Sequence, residues 1–246
     1  NGVLNQGDSY TIQTEVTDNR NVESVTTTDL SGNSISLTDG NDDNIYDNSL
    51  TLQSGVNDGS YDRTITASDG SQNTGTGTTN TIDVDNTNPS ISFNAATTNT
   101  GTYQQSYINL DVSASDAHLD TVEEIFDGQR SGFSGGNYVE NHTGLADGEY
   151  DFYAEASDVE GQTSSTSTRT VTLDTTAPQI TNTAVSPSPA KQGEQITLSA
   201  DTSDATSSIG SLKVEVFGTN YTLTQGSGTS YSTQITVPFD QNPQSY

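Results

Sequence analysis

Carboxylates carry most of the chemistry that this sequence offers. Its 246 residues include 33 Asp and Glu, 6 Lys and Arg, two His and no Cys, which gives a net charge of −27. Several carboxylate oxygens converging at about 2.3–2.6 Å from one point bind Ca²⁺. Aspartates recur at equivalent positions along the chain, so we expect Ca²⁺ where these positions meet, with turn capping as the alternative role. The predicted ligands are Asp85, Asp116, Asp158, Asp174 and Asp204.

A second candidate metal site is the acidic segment DGNDDNIYD, residues 39–47. Its oxygen-bearing side chains occupy alternate positions, as in an EF-hand loop. The segment departs from that pattern at Asn44, which replaces the turn Gly, and at Leu50, which replaces the bidentate Glu. A solvated acidic loop is therefore the competing interpretation. The candidate ligands are Asp39, Asn41, Asp43 and Asp47.

The remaining reactive side chains do not predict an enzyme. His118 and His142 lie in different parts of the chain, and we expect both to be surface residues. A Ser-His-Asp triad needs an orienting carboxylate and a positioned Ser, and no spacing singles these out. Glu123 and Glu124 are adjacent on a predicted strand and therefore point to opposite faces, which disfavours a paired role in glycoside hydrolysis.

The net charge restricts the expected partners, and two triplets are glycosylation signals if the protein is extracellular. The net charge of −27 repels phosphate backbones and anionic lipid headgroups, so neither nucleic acid nor direct membrane contact is expected. Two N-x-S/T triplets predict N-glycosylation at Asn141 and Asn220.

Internal repeats set the frame in which these residues are positioned. The segment DGSYDRTITASD at 58–69 recurs as DGEYDFYAEASD at 147–158, and TNTIDVDNTNP at 79–89 recurs as TRTVTLDTTAP at 168–178. Both pairs have an offset of 89 residues. Upstream, YTIQTEVTD, INLDVSASD and ITLSADTSD mark three copies of one strand-like segment. We therefore predict three domains: residues 1–88 lacking a first strand, 89–177 complete, and 178–246 lacking the last two strands.

The repeat unit is predicted to be all-β. Apolar and polar residues alternate in Thr-rich runs such as Tyr150, Phe152, Ala154 and Ala156, and Gly, Asn and Asp clusters separate the runs. This pattern is typical of an antiparallel sandwich. The one short helix candidate, Leu119 to Phe126, fits a strand equally well.

The repeated segments around DGxY and the following Asp-x-x-x-Pro linker resemble the tandem bacterial-type Ig-like domains of prokaryotic surface proteins, and in part cadherin repeats. The resemblance implies tandem Ig-like antiparallel β-sandwiches with Ca²⁺ at the junctions. It also implies a tyrosine corner at Tyr61 and Tyr150, and at Tyr246 in the third copy. The acidic, Lys-poor composition resembles secreted proteins of halophilic archaea.

These observations predict a rod-like array of Ig-like domains that serves as a cell-surface stalk, adhesin or surface-layer component. The predicted partners are other copies of the chain, cell-surface proteins or glycans. One alternative is a filament or pilus subunit joined by donor strands, with a foreign strand beside residues 231–237. Another is an accessory carbohydrate-binding region of a secreted hydrolase, which an exposed cluster of Tyr138, Tyr150 and Tyr153 would favour.

Overall fold

The computed structural model describes residues 2–133 and 137–239, and within these ranges it is built from strands and turns without a helix. No helix in this part of the chain is therefore available to span a membrane. The segment Leu119–Phe126 is a strand. Thr, Val and Ile are common at strand positions, as expected for residues that fit a pleated, half-buried surface.

The first ten strands are β1 (Val3–Leu4), β2 (Ser9–Glu15), β3 (Val22–Thr28), β4 (Ser34–Leu37), β5 (Ile45–Thr51), β6 (Gly59–Tyr61), β7 (Thr64–Asp69), β8 (Thr74–Thr78), β9 (Ile82–Val84) and β10 (Ser90–Phe93). The next eight are β11 (Gly101–Tyr103), β12 (Tyr107–Ser115), β13 (Leu119–Phe126), β14 (Gln129–Gly132), β15 (Val139–Thr143), β16 (Gly148–Asp158), β17 (Thr163–Ser165) and β18 (Arg169–Leu173). The last five are β19 (Gln179–Ser186), β20 (Gln195–Ser203), β21 (Leu212–Val216), β22 (Thr219–Gln225) and β23 (Ser230–Thr236).

The chain divides into two compact units, and the division runs through β12, β15 and β16. The first unit contains the residues up to Thr97 together with Leu110–Glu140 and Phe152–Thr168. The second contains Thr98–Asn109, Asn141–Asp151 and the residues from Arg169 onward. The three domain boundaries expected from the repeats stay a prediction.

Strand pairing repeats along the chain. In the first copy, β4-β3-β7-β8 form one sheet, β2 pairs with β5, and β9 pairs parallel with β1 and antiparallel with β6. In the second copy, β13 pairs with β14 and β16, β12 lies between β10 and β15, and β18 pairs parallel with β11. The last five strands have the order β19-β20-β23-β22-β21. Each of the first two copies thus has two antiparallel layers and one parallel strand pair, β1 with β9 or β11 with β18. Packed antiparallel layers are the arrangement of an Ig-type sandwich.

The core follows the period of two along the strands. In β12, Ile108, Leu110 and Val112 are buried, while intervening residues are not. Phe152 on β16 is fully buried, with its ring edge on Phe93 and its face stacked near Phe126. The buried clusters of the first unit are Ile12, Val25, Leu37 and Ile65; Leu30, Leu52 and Val84; and Val112, Val122, Ala154 and Ala156. Those of the second unit are Ile196, Leu198, Ile235 and Val237; and Ala200, Leu212, Leu223 and Tyr231.

The two predicted tyrosine corners are confirmed. The Tyr61 hydroxyl donates to the carbonyl of Asn57 at 2.7 Å, and the Tyr150 hydroxyl donates to the carbonyl of Ala146 at 3.1 Å. The third predicted corner, Tyr246, lies outside the described residues.

Candidate cation site

Two of the predicted aspartates, Asp116 and Asp204, share one local structure with Asp18, their counterpart in the first copy. After β2, β12 and β20, a side-chain oxygen of Asp accepts a hydrogen bond from the backbone N–H two residues further on. This Asx turn explains why Asp recurs there, so recurrence alone does not indicate a metal. The copies differ in the identity of the residue whose backbone N–H donates to the Asp side chain. The pairs are Asp18 with Arg20 at 2.7 Å, Asp116 with His118 at 2.8 Å, and Asp204 with Thr206 at 3.0 Å.

In the second copy, this turn places His118 against the segment that follows β9. Asp85 is fixed there by its own N–H, which donates to the carbonyl of Leu4 at 2.9 Å. Its Oδ2 lies 2.7 Å from His118 Nδ1. Asp85 is buried, and the His118 side chain is 31% exposed. The hydrogen bond with Asp85 raises the pKa of His118; burial opposes this, and the charges of Asp85, Asp83 and Asp116 add to it.

Asp116 completes a group of three side chains that could hold a metal ion. A ring nitrogen of His118 and one carboxylate oxygen each from Asp85 and Asp116 lie within 4.8 Å of one another. The structure thus brings Asp85 and Asp116 together, as predicted from the repeat frame. His118 was not among the predicted ligands; it is half-buried against a carboxylate and is not an ordinary surface histidine.

Asp158, also predicted as a ligand, lies at the end of β16 next to this group. Leu119 is its strand partner, and the N–H of Val159 donates to the carbonyl of His118 at 3.0 Å. Asp158 Oδ1 accepts the N–H groups of Glu160 and Gln162, both at 2.9 Å. Its Oδ2 is buried and has no hydrogen-bond partner. A buried carboxylate oxygen without a partner is costly, so this atom calls for a donor or a cation.

The equivalent turn of the first copy explains why Asp158 Oδ2 has no hydrogen-bond partner. There Asp69 Oδ1 accepts two backbone N–H groups, and Oδ2 accepts the side-chain amide of Asn73 at 2.8 Å. Gln162 replaces that Asn in the second copy. Its longer side chain instead donates to the backbone carbonyl of Asp85 at 3.2 Å.

Further carboxylates surround the group. Burial raises the pKa of Glu160, the negative charges of Asp8, Asp158 and Asp85 raise it further, and His118 opposes the rise. An open cleft beside His118 is lined by acidic side chains, which are Asp58, Asp83, Asp85 and Asp116. This part of the first unit therefore favours a cation.

Asp58 and Asp147, which were not among the predicted site residues, bind the segments that follow β9 and β18. Asp58 accepts the N–H of Asn86 at 2.7 Å and the hydroxyl of Thr87. Asp147 accepts the N–H of Thr175 at 2.8 Å and the hydroxyls of Thr175 and Thr176. These bonds, led by the threonine hydroxyls, lower the pKa of both carboxyls. The signal was present in the sequence, because both Asp residues precede the Gly of DGxY.

The second predicted junction lacks a comparable group. Asp174 accepts the N–H of Thr176 at 3.3 Å, and Asp204 accepts the N–H groups of Thr206 and Ser207. Thr206 occupies the position, two residues after the Asp, that His118 occupies in the second copy. Within residues 2–133 and 137–239, neither Asp174 nor Asp204 belongs to a group of three metal-binding side chains.

In the acidic loop at 39–47, the carboxylates bind the loop's own backbone. Asp39 accepts the N–H groups of Asn44 at 2.9 Å, Asp43 at 3.2 Å and Asn41 at 3.3 Å. Slight desolvation raises the pKa of Asp39, but these bonds outweigh it and lower the pKa overall. Asp43 accepts the N–H of Ile45, while Asp47 belongs to β5. Metal binding at this loop stays a prediction.

Two further sets of predicted residues have simple positions. The glycosylation candidates Asn141 and Asn220 are exposed on β15 and β22. The tyrosines considered as a sugar platform, Tyr138, Tyr150 and Tyr153, are half-buried rather than exposed.

Comparison with known proteins supports the fold and not a particular activity. No protein-family model matches the chain, and no curated protein matches it. Among solved structures, the I-band fragment I67–I69 from titin has 14% sequence identity and a TM-score of 0.52, covering 96% of this chain and 85% of that one. An E-to-A variant of the same titin domains has 14% identity, the same coverage and a TM-score of 0.51. A bacterial ice-binding adhesin has 18% identity, covers 95% of this chain and 82% of that one, and has a TM-score of 0.46, which is too low to support an inference.

The chain is therefore an all-β protein of tandem Ig-like β-sandwich domains. Its topology, its tyrosine corners and its likeness to tandem Ig domains of titin agree on this class.

Proposed function

We propose that this chain is a structural or adhesive segment of an extracellular, cell-surface protein, in which tandem Ig-like domains act as spacers of a stalk, adhesin or surface layer. The observation that carries the proposal is the way in which residues 85–88, between β9 and β10, are bound along their length. A linker that served only as a flexible tether would not need such contacts.

These contacts reach the linker from several parts of the first unit. From the first copy, Asp58 binds Asn86 and Thr87, and the Asn86 side chain accepts the N–H of Gln6 at 2.7 Å.

From the second copy, His118 binds the Asp85 carboxylate and Gln162 binds the Asp85 carbonyl. The Asn88 side chain donates to the carbonyl of Thr163 at 3.1 Å. A linker bound on both sides transmits tension as part of the folded structure.

Single-molecule force spectroscopy on the full chain tests the spacer role. We expect successive cooperative unfolding events, and no extension of the linker before the first of them. Asp58→Ala should add an early low-force extension. Asp62→Ala, at the other end of β6, serves as the control because the Asp62 carboxylate accepts the hydroxyl of Thr81 rather than binding the linker. Early low-force extension of the unmodified chain contradicts a spacer role.

The cell-surface location needs its own measurement. Antibodies against the chain should label intact cells of the source organism before permeabilisation. Labelling that appears only after permeabilisation contradicts the extracellular assignment.

A filament subunit is the second candidate, and β19 favours it. Every residue of β19 is exposed, including Ile180 at 57% and Val185 at 49%. An exposed apolar strand is a site for strand addition by another chain. Light scattering after size exclusion should show concentration-dependent polymers if chains exchange strands, and Ile180→Lys should abolish them. A monomer at all concentrations contradicts the filament function.

We also propose that a divalent cation bound by Asp85 and Asp116 reinforces the linker. Ca²⁺, expected from the sequence, is one such ion, and the unpartnered oxygen of Asp158 supports a cation at this place. An ion that binds only the folded state raises its stability. The melting temperature should therefore rise when divalent ions are added to chelator-treated protein and fall again with EDTA. An unchanged melting temperature contradicts the role of the cation.

A further inference from the structure

We infer that Asp85, Asp116 and His118 form a site for a transition-metal ion of the Zn²⁺ class rather than for Ca²⁺. The inference rests on the proposed binding of a cation at the linker and specifies which chemistry recognises it. One imidazole and two carboxylates lie within 4.8 Å of one another. Imidazole nitrogen suits Zn²⁺ and neighbouring first-row ions, whereas Ca²⁺ takes six to eight oxygen ligands at about 2.3–2.6 Å.

The mixed donor set is specific to one turn of the chain. The same Asx turn presents Arg20 in the first copy and Thr206 in the third. Arg has no lone pair for a metal, and Thr has no imidazole. Among the described residues, only the turn with His118 belongs to a metal-binding group. A site defined by carboxylates alone would be expected at Asp204 as well, because Asp204 and Asp116 form equivalent Asx turns.

The buried oxygen of Asp158 is the second, independent observation. Asp158 is 2% exposed, and its Oδ2 lacks a hydrogen bond although the rest of its turn is fully bonded. The side chain that satisfies the equivalent oxygen of Asp69 is an amide, and Gln162 directs that amide to Asp85 instead. Because Leu119 pairs with Asp158 and the N–H of Val159 donates to the carbonyl of His118 at 3.0 Å, an ion bound by His118 would place positive charge near this carboxylate.

The consequence is a direct link between one turn and the linker. Asp116 and His118 belong to the turn between β12 and β13, whereas Asp85 belongs to the linker after β9. An ion shared by them joins the linker to that turn by metal–ligand bonds in place of one hydrogen bond. Metal binding at the site then becomes part of the folding free energy of the linker.

Titration calorimetry with the full, chelator-treated chain tests the site, using Zn²⁺ alone and Ca²⁺ alone as probes. We expect one Zn²⁺ per chain, not displaced by a hundredfold excess of Ca²⁺. His118→Arg copies the residue of the first copy and can still donate a hydrogen bond to Asp85, but removes the metal-binding nitrogen. Because loss of even an outer-shell partner costs about 10–100-fold in metal affinity, this variant should bind Zn²⁺ at least about tenfold more weakly.

Matched controls separate the site from general acidity. Asp116→Asn should weaken Zn²⁺ binding and keep the Asx turn, whereas Asp204→Asn makes the same change in the third copy and should have no effect. His142→Gln removes the other histidine and should also have no effect. Equal Zn²⁺ affinity of the unmodified chain and His118→Arg overturns the inference, as does preferential binding of Ca²⁺.

A measurement on the unmodified chain covers the case in which a variant does not fold. Long-range ¹H–¹⁵N NMR spectra of the histidine imidazoles should show a large shift of one ring nitrogen of His118 when Zn²⁺ is added, and no such shift at His142. Absence of a His118 shift overturns the inference. Stabilisation by Ca²⁺ without Zn²⁺ binding rejects the zinc site but retains the proposed cation role, whereas a failure of both ions rejects both.

Discussion

The side-chain amide of Gln162 donates to the backbone carbonyl of Asp85 at 3.2 Å, across 77 residues of sequence. In the equivalent turn of the first copy, Asn73 uses its amide to bind Asp69 within its own turn. One additional methylene group thus converts a local contact into a contact with the linker. The conversion leaves Asp158 Oδ2 buried without a partner.

Gln162→Asn should reverse this exchange. The shorter amide is expected to bind Asp158 Oδ2 and to release Asp85. In chelator-containing buffer, the free energy of unfolding should rise by about 1 kcal/mol, because a buried acceptor gains a hydrogen bond. Backbone amide exchange at residues 85–87 should become faster.

Hydrogen exchange monitored by mass spectrometry and urea unfolding measure both effects. Gln162→Ala is the control, since it removes the contact with Asp85 without supplying a partner to Asp158. Slower exchange of the linker in Gln162→Asn than in the unmodified chain would show that Gln162 does not hold Asp85.

Much of the fold could be predicted from the sequence because it depends on local patterns. The alternation through Phe152, Ala154 and Ala156 predicts a strand with one buried face, and all three side chains are buried. The DGxY segments predicted the tyrosine corners at Tyr61 and Tyr150, because the hydroxyl reaches a carbonyl only four residues upstream. Such features need no knowledge of how distant segments meet.

The site was predicted only in part, because its decisive contacts are distant in sequence. The repeat frame indicated that Asp85 and Asp116 would approach each other. It did not indicate that His118 would join them, since the direction of that imidazole follows from the Asx turn of Asp116 and from the position of the linker. The role of Gln162 depends on a single methylene group, which no repeat pattern distinguishes from Asn73.

The bonds of Asp147 predict a specific pH dependence. Bonds from the hydroxyl of Thr176 and from Thr175 lower the pKa of Asp147 in the folded chain. A carboxyl with a lowered folded-state pKa contributes stability above its unfolded value of about 3.9, and the contribution is lost as pH falls through the folded-state pKa. Asp147→Asn should therefore destabilise the chain at pH 6, and the difference should shrink below pH values of about 4.

Urea unfolding of both proteins between pH 6 and pH 3 measures this difference. Glu149→Gln provides a control, because Glu149 is exposed on the same segment. A difference between Asp147→Asn and the unmodified chain that stays constant down to pH 3 would rule out the carboxylate as its source.

The tyrosine corner predicts a small and local loss of stability. Tyr61→Phe removes a hydroxyl that donates to Asn57 at 2.7 Å and leaves the ring in place. The expected loss is about 0.5–1.5 kcal/mol, the usual net contribution of one hydrogen bond. Thermal unfolding should detect it, while Tyr107→Phe, at a tyrosine that is 45% exposed, should change little. Equal effects of the two substitutions would contradict a stabilising role of the Tyr61 hydroxyl.

The aromatic packing of the first unit predicts a much larger effect. Phe152 is 0% exposed, and its ring centroid lies 5.9 Å from that of Phe93 and 6.3 Å from that of Phe126. Phe152→Ala removes these contacts and leaves a cavity, which should cost about 3–5 kcal/mol. Phe152→Leu fills part of the space and should cost less. Denaturant unfolding gives both values, with Ile180→Ala as the control, because Ile180 is 57% exposed and should change stability by less than about 0.5 kcal/mol. A loss below about 1 kcal/mol in Phe152→Ala would show that this ring does not organise the core.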